Sequence, residues 1–403
     1  MKSMRINPLI RMKRSRLAGF FLCLLLTGCS PAESEQSALQ HAAQRVMQQA
    51  EKAEQQRLIS QALPLYQQAA ALGHTAAVAA VFRLQQHSSK VLLGQWLAEL
   101  PADASALAPY WAELGHWQRL TPDQQQQFQR PFAAITLQTE ACRLSVLPVV
   151  TGLAEARQWQ LLLHNWQQDP QLGSLPICWL PPRFIDSMLL QCSEQPTQRI
   201  QCDLPALQQQ MRDVDFHQLL VLAGRGGASY NNGVLQLPEQ SDLALLRHEF
   251  SHAFGFLDEY ALMPKVAKDE CKPGRLTANL LFHKADLAAY QQHWQLDANE
   301  LELTPVASCH HAGLQAYRLV AADTHMQHYE LAMPALYLKL LHKQLARPEQ
   351  LMPAAYYFAY LARQQQDWPA WQHWMQQAAK LGYRPAQQAL VIQNAGQQAA
   401  VAP

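Results

Sequence analysis

The chain has 403 residues, 49% hydrophobic and 16% charged, with 32 basic and 31 acidic side chains. That length admits two or three domains, and the apolar content excludes a disordered chain. The near balance of charge offers no basic footprint for nucleic acid.

In chain order the first element is a leader. Lys2, Arg5, Arg11, Lys13, Arg14 and Arg16 precede an apolar run at residues 17–26, too short to span a bilayer as a mature helix. The run ends in Leu26, Thr27, Gly28 and Cys29. This tetrad resembles the lipobox of bacterial lipoproteins, with a simple cleaved signal or an uncleaved anchor as the alternatives. The resemblance implies removal of residues 1–28 and lipid on Cys29. It also implies anchoring in the cell envelope, with Ser30 pointing to the outer membrane. Loss of residues 1–28 takes away six basic and no acidic side chains, leaving 26 basic against 31 acidic, a net charge of −5.

Residues 29–130 read as helical. Ala62, Leu65, Tyr66, Ala69, Ala70 and Leu72 keep helical spacing and Gly73 supplies a stop. The stretch from Leu65 to Gly73 aligns with Trp374 to Gly382, and Ala77 and Ala386 follow at the same offset. The pattern resembles the second helix of SEL-type tetratricopeptide-like repeats, implying one helical hairpin near each end, the second within residues 348–403, and a surface for a protein partner. An ordinary amphipathic helix in an Ala-rich chain is the alternative. Residues 93–120 read as further helices interrupted at Pro101 and Pro109.

The texture changes across residues 131–347. Residues 135–139 and 144–150 read as strands, 153–166 as a helix and 219–223 as a buried strand. The glycine-rich stretch from Gly224 to Gly233 lacks the G-K-[ST] ending of a phosphate loop and leads into a strand at residues 234–237. Cys142, Cys178, Cys192, Cys202, Cys271 and Cys309, an even set behind a secretory leader, read as disulfides. Sequence does not choose the pairing, but proximity favours Cys192 with Cys202 and Cys271 with Cys309, which leaves Cys142 with Cys178.

Chemistry concentrates at residues 241–260. Ser241 or Asp242 can cap a helix carrying Leu243, Leu246, Phe250 and Phe254, and Gly255 can end it. His248 and His252 then stand one turn apart, about 6 Å along the axis, and can share a tetrahedral metal. Glu249, turned about 100° from His248, stays out of the ligand set but near any water the metal holds. The turn at Gly255 brings an acid back toward the metal, Asp258 or its neighbour Glu259.

This His-Glu-x-x-His-x-x-Gly-x-x-Asp string resembles the metzincin clan, and with the following Glu259 and Tyr260 the IgA-type metallopeptidases. The resemblance implies an α+β, zincin-like domain with a mixed sheet and an active-site helix, flanked by α-helical hairpins. It implies Zn2+ on His248, His252 and Asp258, Glu249 as general base, and a protein or peptide substrate. It also calls for a methionine turn beneath the metal, for which Met326 is the first choice and Met333 the second. Tyr329 is the candidate oxyanion donor, with a packed or surface tyrosine as the alternative. His310, His311, His325 and His328 form no recognised ligand spacing and read as surface or hydrogen-bonding histidines. A different class stays open at this stage: a non-catalytic envelope scaffold with a structural or degenerate zinc site.

Overall fold

The computed structural model describes residues 31–401 apart from 87, 102–103 and 139–140. The expected signal segment, residues 1–28, and the expected lipid site, Cys29, lie outside the described residues. The chain forms two compact units, Met1–Gln86 and His87–Pro403.

In the first unit, helices α1 (Pro31–Gln55), α2 (Ile59–Ala71) and α3 (Thr75–Leu84) pack through small side chains, with Ala62, Ala69, Ala70 and Ala77 buried. Gly73 takes φ +92°, the left-handed conformation that stops α2. Glu54 of α1 ties the three helices, accepting from Tyr66 of α2 at 2.7 Å and from Arg83 of α3 at 2.8 Å.

The second unit opens with α4 (Lys90–Ala98), α5 (Ala104–Leu114) and α6 (Pro122–Gln129). Pro109 lies inside α5 instead of interrupting it. One missing backbone donor is outweighed by the burial of Leu107, Ala108, Trp111 and Ala112 on the helix face.

There follow β1 (Leu144–Val150), α7 (Leu153–Gln168), β2 (Ile177–Trp179), β3 (Arg183–Phe184) and α8 (Ser187–Leu190). Next come β4 (Glu194–Arg199), α9 (Leu204–Gln210), β5 (Gln218–Leu222), β6 (Arg225–Gly227), β7 (Ser229–Asn231), β8 (Val234–Leu237) and α10 (Leu243–His252). The main sheet runs β2-β1-β5-β8-β7, with β3 also on β1, and every pairing is parallel except β7 on β8. A mixed sheet in an α+β architecture results. Strands β4 and β6 form a separate parallel pair. Of the strand expected at residues 135–139, the described residues 135–138 contribute one isolated bridge, Leu137 to Trp179.

The sheet is covered on both faces, and alternate residues serve each cover. Val146, Val150, Leu220, Leu222, Leu235 and Leu237 face Trp159 and Trp166 of α7 and Leu246 and Phe250 of α10. Leu147, Val149, Leu219 and Val221 share a core with the C-terminal helices.

Beyond α10 come α11 (Pro264–Glu270), β9 (Leu280–Leu281), α12 (Leu287–Trp294), β10 (Thr304–Val306) and β11 (Ala316–Arg318), the three strands forming a small antiparallel sheet. Helices α13 (Ala335–Leu345), α14 (Ala354–Gln364), α15 (Trp368–Lys380) and α16 (Arg384–Val401) complete the chain. Phe358, Ala362, Trp374 and Ala378 belong to the core beneath the sheet, so α14 and α15 are a layer of the fold. Gly382 takes φ +86° between α15 and α16 as Gly73 does between α2 and α3, and Ala386 and Ala77 are both fully buried. Disulfides join Cys142 to Cys178, Cys192 to Cys202 and Cys271 to Cys309.

Candidate metal centre and cleft

Asp242 caps α10, accepting from the Leu245 amide at 2.8 Å. Phe250 packs edge-on to Trp166 and tilted on Trp179, at centroid distances of 5.4 and 5.5 Å. This apolar contact fixes the roll of the helix, so His248 and His252 share a different face.

At Gly255 φ is +77° and the chain turns. The following segment is clamped at several points. Asn279 donates to the Leu257 carbonyl and accepts from its amide, both at 2.8 Å, and Ser308 Oγ donates to the Asp258 carbonyl at 2.7 Å. Asp258 is thereby returned to the helix, with Oδ1 at 3.2 Å from His248 Nε2 and 3.3 Å from His252 Nε2.

The hydrogen bonds of the two rings decide what this cluster can hold. His248 Nδ1 lies 2.7 Å from the His325 carbonyl and His252 Nδ1 lies 2.8 Å from the Phe256 carbonyl. A carbonyl only accepts, so both Nδ1 atoms carry hydrogen and both neutral rings direct an Nε2 lone pair inward. Asp258 Oδ1 is buried and lacks a hydrogen-bond donor beyond these rings. Three lone pairs converging in a buried space require a cation, either a shared proton or a metal. A tetrahedral ion with bonds of about 2.0–2.1 Å separates its ligand atoms by about 3.3 Å, so the donor set fits a small divalent metal. Without a metal, burial disfavours charge on His252, but the Asp258 carboxylate prevails and raises its pKa to about 9. The same imidazoles, against burial, hold the Asp258 carboxyl below the ordinary range.

Glu259 does not join the cluster. It is fully buried and accepts from Tyr337 at 2.5 Å, Thr324 at 2.9 Å and Asn279 at 3.1 Å. It therefore braces the floor of the centre. Met326 is fully buried in a turn closed by the Gln327 amide on the Thr324 carbonyl at 2.9 Å, and its own carbonyl accepts from the Glu259 amide at 2.9 Å. The preceding His325 supplies the carbonyl that orients His248, and its ring, kept neutral by burial, bonds Ser251 Oγ at 3.0 Å. Met333 is buried in the same core, while His310, His311 and His328 are exposed.

A cleft of about 700 Å³ opens beside the cluster, lined by Glu249, His252, Asp258, Tyr260 and, from the edge strand β7, Tyr230 and Asn231. Burial raises the Glu249 carboxyl above its ordinary range, against the pull of the two imidazoles. Such a group is suited to receive a proton.

Tyr329 is not brought to the centre. It is exposed, and the neighbouring Glu330 carboxylate raises its pKa. Arg247 holds the Tyr329 and Leu331 carbonyls at 3.2 and 2.5 Å, which keeps this stretch on a face of α10 about 100° round from His248. A tyrosine that does line the cleft, beside Asp258, is Tyr260, whose pKa is raised by burial and by that carboxylate. The sequence pattern contains Tyr260 without assigning it a role. Its signal is the position two residues after Asp258, beyond a turn that returns the segment to His248 and His252. Arg199, also in the cleft wall, carried no sequence signal.

No protein-family model matches the chain, and no curated protein matches it significantly.

Proposed function

We propose that the protein is a zinc-dependent endopeptidase of the bacterial cell envelope, of the metzincin type. The observation that carries the reading is the convergence of His248 Nε2, His252 Nε2 and Asp258 Oδ1 within 4.8 Å, beside a buried Glu249 on an open cleft. These three atoms would hold a zinc ion, which would supply Lewis acidity toward a water and the scissile carbonyl. Glu249 takes the proton that the attacking water loses and delivers it to the leaving amine nitrogen, so the peptide bond is exchanged for a carboxylate and an amine. The Tyr260 hydroxyl donates to the carbonyl oxygen as charge builds there.

Strand β7 adds support. It ends the sheet, runs antiparallel to β8 and has no further strand partner among the described residues. An extended substrate can pair with its free edge and lie along the cleft. The order strand, glycine-rich segment, edge strand, strand and helix is the one a zincin layout calls for. The leader and the lipobox-like tetrad ending in Cys29 support a position in the envelope on a lipid anchor. No helix among the described residues is long and apolar enough to cross a membrane. Labelled palmitate should enter the wild-type chain and not Cys29→Ser.

Metal analysis of the purified protein, followed by a peptide-library digest with and without chelator, tests the activity. One zinc per chain and chelator-sensitive cleavage are expected. Retained metal with no cleavage of any peptide would instead assign a non-catalytic envelope scaffold.

A further inference from the structure

Arg199 is the charge in the cleft that the proposed reaction leaves unused. It ends β4, is exposed, and lines the cleft with Glu249, His252 and Tyr260. The same lining holds Asp258, so Arg199 shares the end of the cleft where the candidate metal cluster stands. Other charged groups in this wall are already engaged: Glu270 and Arg275 pair at 2.5 Å, and Asp258 belongs to the metal cluster. Arg199 itself has no ion-pair partner among the described residues.

The backbone that carries Arg199 is firmly held. The Cys192–Cys202 disulfide closes the segment around β4, Arg199 registers against Gly227, and the Ile200 amide donates to the Gly227 carbonyl at 2.9 Å. Gly226 takes φ +149°, and a Cβ there would lie 2.4 Å from the Gln198 carbonyl. A Cβ on Gly227 would sit 3.8 Å from Arg199 Cγ, so the arginine stem passes directly over that glycine. The glycine-rich run thus serves to lay β4 against β6 and to present one guanidinium to the cleft.

We propose that Arg199 is a specificity-determining residue that selects peptides placing a carboxylate close to the scissile bond. A guanidinium binds a carboxylate through two parallel N–H···O bonds, and a guanidinium without an ion pair in a cleft wall draws that group in preference to its neutral isostere. The carboxylate can be an internal Asp or Glu side chain or the free C-terminus of a short peptide. The inference rests on the peptidase reading of the same site.

Binding and cleavage separate the two ideas. Calorimetry with detergent-solubilised, zinc-loaded Glu249→Gln protein compares hexapeptides bearing Glu or Gln at each position, each with a free or an amidated C-terminus. A carboxylate should tighten binding about five- to tenfold, and Arg199→Ala on the same background should abolish the difference while leaving the neutral peptide unchanged. Loss of the preference on changing Glu to Gln identifies a side-chain carboxylate, and its loss on amidation identifies the C-terminus. Equal affinity for charged and neutral peptides, no binding of either, or a preference that survives Arg199→Ala overturns the inference. Wild-type cleavage without charge preference also sinks it alone. Charge-selective binding with no wild-type cleavage sinks the peptidase reading and leaves the selectivity standing.

Discussion

His248 Nε2, His252 Nε2 and Asp258 Oδ1 repel one another unless a cation lies between them, and at neutral pH without metal that cation is a proton. With the His252 pKa at about 9, metal entry must displace this proton. Apparent metal affinity should therefore rise about tenfold per pH unit and level off above about pH 9, with about one proton released near pH 7. The stability sign agrees. A folded pKa above the unfolded value stabilises the metal-free protein below the unfolded pKa, and that contribution is lost as pH rises through about 9. Calorimetry in buffers of different ionisation heat measures the release, and a pH-independent affinity would remove the shared proton. Glu249→Gln should keep its metal while cleavage falls by about 10²- to 10⁴-fold, whereas His252→Ala should lose the metal. Tyr260→Phe should lower kcat about 100-fold with KM nearly unchanged, and Tyr329→Phe should change neither.

At the scale of an element, the turn after α10 makes the centre. Gly255 has φ +77° with only Gln344 Nε2 near a would-be Cβ, at 4.0 Å, so Gly255→Ala meets backbone strain without a clash. It should cost about 1–2 kcal/mol and also weaken metal binding, because Asp258 is carried by the same turn. Gly274 has φ +78° and open space, and Gly274→Ala should cost a similar amount with metal affinity unchanged. Thermal melts and metal titrations on the two variants separate strain from positioning. Equal metal loss in both would break the link between the turn and the ligand. Glu259 shows the other side of the same segment. Its neighbours Asn279, Thr324 and Tyr337 come from three later parts of the chain, so its role as a brace was invisible in a string where two acids stand side by side.

At the scale of the whole second unit, the C-terminal helices and the sheet share one core. Phe358 is fully buried among Leu147, Leu219 and Val221, so Phe358→Ala should cost about 3–5 kcal/mol, read by denaturant unfolding. Removal of residues 348–403 should leave an insoluble product, because it strips one face of the sheet. Leu351 and Met352, which lead into α14, also line the cleft. A soluble, metal-binding truncated protein would show that the helices are an appendage after all. The sequence comparison between residues 65–73 and 374–382 caught the helix-glycine-helix geometry common to both ends, but it could not show that the second copy shares a core with the sheet.

What the sequence determined by itself is local. Helical periodicity sets His248 and His252 one turn apart, Ser241 or Asp242 stands where a cap is needed, and a glycine at residue 255 is free to take a conformation that other residues adopt only at a cost. The strands at residues 219–223 and 234–237 and the closeness of Cys192 to Cys202 were legible for the same reason, since each depends on near neighbours in the chain, whereas β6 and β7 inside the glycine-rich run were not. Tertiary structure decided the rest. It separated Asp258 from Glu259 by giving the latter three buried donors, kept Tyr329 outside by tying its backbone to Arg247, and carried Arg199 to the cleft by strand pairing with the glycine-rich run. Those outcomes rest on contacts between distant residues, whose partners no local pattern names.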